Sequence, residues 1–129
     1  MTKKIFPAAL LLVLLNICFS AAARSQGDIR FETTTVDMGE MSENGGPRTA
    51  TFTFTNTGDG NVVITKATAQ CGCTSPKYSE EPVAPGKKGT VQVTYNPKGR
   101  PGSFVKTVTL TLAGARKSKM ILKIKGRVK

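Results

Sequence analysis

Between Thr49 and Thr55 the chain alternates strictly, with Ala50, Phe52 and Phe54 on one parity and four threonines on the other. A period of two places successive side chains on opposite faces, so this segment predicts a strand with one apolar and one polar side. The same pattern returns at Val91, Val93 and Tyr95, and along Phe104–Leu112, where the even positions are apolar apart from Lys106. The last segment sets Leu122, Ile124 and Val128 against Lys123, Lys125 and Arg127. Asp28–Asp37 and Val62–Ala69 read as further strands, and Lys77–Ser79 as a short one. Half-buried strands of this kind belong to antiparallel sheets.

Turn chemistry separates the runs. Asn44-Gly45-Gly46-Pro47 precedes the Thr49 strand, and Asn56 to Asn61 follows it. Pro85-Gly86 is a type II turn pair, Asn96 to Gly102 holds two prolines and two glycines, and Ala113–Ser118 links the last two strands. No window sustains a period of 3.6, and the region after residue 25 carries 16 Thr and 9 Val, which favour a pleated surface. The expectation is an all-β chain: an Ig-like antiparallel β-sandwich of about seven strands. It lacks the buried Trp and the widely spaced Cys pair of antibody domains.

The first residues break the pattern. Lys3 and Lys4 precede an apolar run from Ile5 to Phe19, and Ser20, Ala21, Ala22 and Ala23 follow. A positive start, an apolar middle and a small-residue end predict a signal peptide over 1–25 and an Ig-like domain over 26–129. The run is too short to read as a transmembrane segment. Lipidation at Cys18 is the weaker alternative, because Ile17 stands where lipoprotein signals carry a small residue. Export to the periplasm or cell surface is the localisation that follows.

Charge divides the remaining chain in two. Gln26 to Gly86 holds eight acids and four bases, whereas Lys87 to Lys129 holds twelve bases and no acid. Lys123, Lys125 and Arg127 share one strand face about 7 Å apart, a row fit for anions on an envelope protein, an acidic glycan or a lipid. The plainer reading is a solvated face whose lysines guard an edge strand. Nucleic acid is not expected: export removes the chain from it, and the few aromatics offer no stacking platform.

Chemistry is scarce. The chain has no His, which removes the usual acid–base, hydrolase and zinc constellations, so no enzyme activity and no cofactor are expected. Cys71 and Cys73, separated by Gly72, are the exception. A regular strand holds such a pair too far apart to bridge, but Gly72 can bend it closed. A structural disulfide, a redox-active dithiol, a Cu(I) site completed by a thioether from Met38, Met41 or Met120, and a mere packing role all remain open. Against redox work stands the absence of a His, of a helix N-terminus and of a thioredoxin-like βαβ pattern. Lys66 or Lys77 would serve only if the fold brought one close.

One ordered set of residues carries a resemblance. It runs through Phe31, Asp37-Met38-Gly39-Glu40, Phe52 to Gly58, Ile64, Cys71-Gly72-Cys73-Thr74, Pro85-Gly86-Lys87, Val91 to Tyr95, Gly102 and Phe104. Over nearly all of Ile29–Val128 the chain resembles a family of secreted bacterial domains of unknown function, common in Bacteroidetes. Their shape is similar to the Ig-like domains of the major sperm protein and cilia-associated groups. The resemblance implies a seven-stranded sandwich outside the cytoplasm and supplies no catalytic residues; only the cysteine pair transfers as a candidate site. The function expected is a non-enzymatic binding or adaptor module of the bacterial envelope, with thiol redox or Cu(I) binding at Cys71 and Cys73 as the alternative.

Overall fold

Among the described residues, alternation at every second residue produces eight strands. They are β1 (Ile29–Phe31), β2 (Thr35–Met41), β3 (Arg48–Asn56), β4 (Val63–Ala69), β5 (Thr74–Tyr78), β6 (Lys88–Tyr95), β7 (Gly102–Ala113) and β8 (Lys119–Val128). This computed structural model describes residues 25–129; the proposed leader and Cys18 lie outside the described residues. The strands form two four-stranded sheets in the orders β1-β3-β6-β5 and β2-β8-β7-β4. In Ig lettering these are ABED and CFG, with β2 added beside the last strand as a detached continuation of the first. The chain is therefore an all-β, Ig-like sandwich.

The inward positions of both sheets meet in one core. Phe52, Phe54, Val91, Val93 and Tyr95 come from the first sheet, and Val108, Leu110, Leu122 and Ile124 from the second, all almost fully buried. Tyr95 stacks on Phe104 with ring centroids 4.0 Å apart, joining the sheets at one end. Burial raises the Tyr95 phenol above its ordinary pKa, with Arg100 partly opposing the shift. Phe54 meets Phe31 at 5.3 Å in a tilted pair nearer the other end. A methyl added at Gly89 would collide with the Phe54 ring, so the glycine makes room for the aromatic.

Three details of the expected sandwich need correction. The strand expected over Asp28–Asp37 is two strands in different sheets, giving eight strands in place of seven. Glu32 N still donates to Thr53 O of β3 at 2.9 Å, whereas Thr34 O already accepts from Lys123 N of β8 at 2.8 Å. The chain crosses the sandwich within Glu32–Thr34, three exposed polar residues. Continuing in its original direction, it enters the second sheet alongside β8, and the β2–β8 pair is parallel. The sandwich is thus not wholly antiparallel. The expected Lys77–Ser79 strand also lies earlier, at Thr74–Tyr78, with Pro76 inside it.

Candidate functional site

The cysteine pair sits where the chain leaves β4 in the second sheet and enters β5 in the first. β4 ends at Ala69, and Gln70 N donates to Thr107 O of β7 at 3.0 Å before the chain turns. Thr74 N then donates to Cys71 O at 3.1 Å, closing a tight turn around Gly72. That turn brings the two Cα atoms to 5.2 Å, and a disulfide joins Cys71 to Cys73. In this oxidised form neither sulfur is a thiolate ligand for Cu(I). Of the thioethers considered as partners, Met41 is buried in the core, and Met38 and Met120 pack against it.

The two sulfurs differ in environment. Cys73 belongs to the core and is 5% exposed, whereas Cys71 lies at its margin, partly accessible. The Cys73 amide donates to Cys71 Sγ at 3.2 Å, and the buried Thr74 hydroxyl lies 3.6 Å from Cys73 Sγ. Asn96 N donates to Cys73 O at 2.9 Å, fixing the turn to the end of β6. Among the described residues the groups hydrogen-bonded to the sulfurs are thus a backbone amide and a hydroxyl, and neither Lys66 nor Lys77 is hydrogen-bonded to them. Thr74 is the neighbour that sequence reasoning missed as a functional group, although it stands directly after the motif.

Lys123, Lys125 and Arg127 do share one outward face, on β8. The strand is not an edge, since it lies between β2 and β7, so the edge-guard reading is overturned. Register lays the face out in rows. Lys119 pairs with Thr111, which pairs with Lys66; Ile121 pairs with Thr109, which pairs with Thr68. Lys123 lies between Thr35 and Thr107, Lys125 between Asp37 and Val105, and Arg127 between Glu40 and Ser103. Val105 and Ile121 are 55% and 58% exposed, two large aliphatic side chains held out among the cations.

The charge on this face is graded. Asp37 and Glu40 stand only along the β2 side, where Glu40 pairs with Lys129 at 2.8 Å. The Lys129 hydrogen bond and charge, with Arg127 adding, hold the Glu40 carboxyl below its ordinary pKa, and Glu40 in turn raises Lys129. A shallow depression of about 380 Å³ lies between Asp37, Glu40, Val105, Lys125 and Arg127. Gln70, adjacent to Cys71, accepts from the Thr107 hydroxyl at 3.2 Å, so the sulfur turn borders the same face. Among the described residues, no three His, Cys, Asp or Glu side chains gather into a metal-binding group. No helix among them is long and apolar enough to cross a membrane.

Fold and site together define an Ig-like sandwich domain with a disulfide at one sheet crossover and a cationic, partly apolar sheet face. The chain belongs to the family described as Protein of unknown function (DUF1573), whose profile matches residues 29–128. No curated protein matches it significantly. Among solved structures it is similar to a protein of unknown function from Porphyromonas gingivalis W83, at 17% identity and TM-score 0.69, covering 85% of this chain and 51% of that one. The chain thus spans about half the length of that protein. It is also similar to PapD-like domain 7 of human CEP192, at 9% identity and TM-score 0.64, over 81% and 87% of the two chains. The VesB protease of Vibrio cholerae aligns at 15% identity and TM-score 0.64 over 78% of this chain but 32% of its own. These likenesses concern the fold alone.

Proposed function

We propose that the protein is a non-enzymatic binding module of the bacterial envelope that docks an acidic protein on the outer face of β2-β8-β7-β4. The observation that carries this reading is the pairing of exposed Val105 and Ile121 with Lys66, Lys119, Lys123, Lys125 and Arg127 on one rigid sheet. Exposed aliphatic side chains add apolar contact to an interface, and charges between them steer and align the partner. Asp37 and Glu40 along one margin favour a protein over a uniformly anionic lipid plane, because a protein can present both signs in register. The likeness to a PapD-like domain supports the sandwich scaffold that carries this face.

The test compares wild type with the triple variant Lys123→Glu, Lys125→Glu and Arg127→Glu as immobilised baits for envelope extract, anionic phosphatidylglycerol vesicles and heparin. Retention of an acidic protein that disappears in the variant, in Ile121→Ser and at raised salt supports the reading. Equal retention by wild type and variant overturns it, as does charge-dependent binding to the vesicles or heparin alone.

A further inference from the structure

We infer that the Cys71–Cys73 disulfide is a thiol–disulfide exchange site that accepts electrons from a dithiol, with Cys71 as the entry sulfur and Cys73 as the leaving sulfur. The proposal uses residues outside the docking face and stands independently of that reading. Three observations carry it. Cys71 is partly exposed while Cys73 is buried in the core, which makes Cys71 the residue of the pair more open to an incoming thiolate. A Cβ placed on Gly72 would meet nothing within 4 Å, which leaves open space over the turn that joins the pair. The Thr74 hydroxyl, itself buried, lies 3.6 Å from Cys73 Sγ, within reach of a hydrogen bond to sulfur.

A cysteine thiolate of the partner dithiol attacks Cys71 Sγ and forms a mixed disulfide with it. The Cys71–Cys73 bond breaks and its electron pair remains on Cys73 Sγ, where the Thr74 O–H donates to the new thiolate. The partner's second thiolate then attacks the partner sulfur of the mixed disulfide, and the electron pair passes to Cys71 Sγ. The Cys73 amide, 3.2 Å from that sulfur, is placed to donate to it. Both thiolates take protons from water. The partner leaves oxidised, and two electrons have moved to this pair. Leaving-group stabilisation accelerates such exchange, so the Thr74 hydroxyl assists the opening of the bond.

The test uses reduced glutathione, a small thiol that needs no docking face, so its outcome is separable from that of the charge-reversal experiment. Oxidised protein is exposed to glutathione under native conditions, quenched with acid and mapped by mass spectrometry. The expected adduct is on Cys71 in clear excess over Cys73, because exchange follows access to the sulfur attacked. Thr74→Val is expected to slow opening about fivefold through loss of one hydrogen bond to the thiolate, and Thr74→Ser to restore it. Adducts divided equally or placed on Cys73, opening no faster than global unfolding, or a rate unchanged in Thr74→Val would each overturn the inference. The mapping needs no variant, so it decides even if a substitution at Thr74 prevents folding.

Discussion

At the scale of the residue, Asn56 shows how much one buried amide can organise. Its side chain is fully buried, with Nδ2 donating to Gly60 O at 2.8 Å and Val83 O at 2.9 Å. Its Oδ1 accepts from Asp28 N at 3.2 Å and Gly58 N at 3.0 Å. One residue thus satisfies backbone groups from the segment before β1, the turn after β3 and the loop before β6. Asn56→Leu removes those partners while keeping the bulk, and is expected to cost on the order of 3 kcal/mol or more. Chemical denaturation checks it; a loss within experimental error of zero would contradict the account. In the sequence Asn56 is one more turn residue, because nothing local reveals that Val83 comes to meet it. The cysteine turn was more legible, since its bend needs only Gly72. The Thr74 hydroxyl acquires its place from packing against the core.

At the scale of the element, each sheet edge carries an obstacle to further pairing. β1 has three residues, and β2 shifts register between Asp37 and Glu40, where Gly39 has φ +69°. β4 shifts register between Ile64 and Lys66, and β5 contains Pro76. Bulges, short strands and proline discourage edge-to-edge association, which is consistent with binding through a face. A proline in an edge strand commonly turns its missing N–H toward solvent. Pro76→Thr would then restore an outward donor, and self-association is expected to rise by sedimentation velocity; an unchanged monomer fraction would contradict this. The strands β3, β6, β7 and β8 were readable because their alternation is long and unbroken. The β1–β2 division also left a mark: apolar positions are odd at Ile29 and Phe31 but even at Val36 and Met38. That change of phase is the trace of a change of sheet. The acids opposite Lys125 and Arg127 left none, since they depend on the parallel pairing that follows it.

At the scale of the molecule, stability rests on the two inner faces and not on the sulfur bridge. A cross-link spanning three residues removes little freedom from the unfolded chain, about 1.6 kcal/mol in the loop-entropy model. The double variant Cys71→Ser and Cys73→Ser is therefore expected to unfold cooperatively and to lose about 1–3 kcal/mol, the upper part reflecting a hydroxyl placed at buried Cys73. Loss of cooperative unfolding on denaturant titration would show that the bridge holds the fold. The parallel placement of β2 beside β8 has a mechanical corollary. Tension entering ahead of β1 and leaving after β8 first peels the three-residue strand, then drags β2 and β8 past each other lengthwise. Their hydrogen bonds would be loaded together instead of opening one by one, so the domain is braced against traction along its own chain.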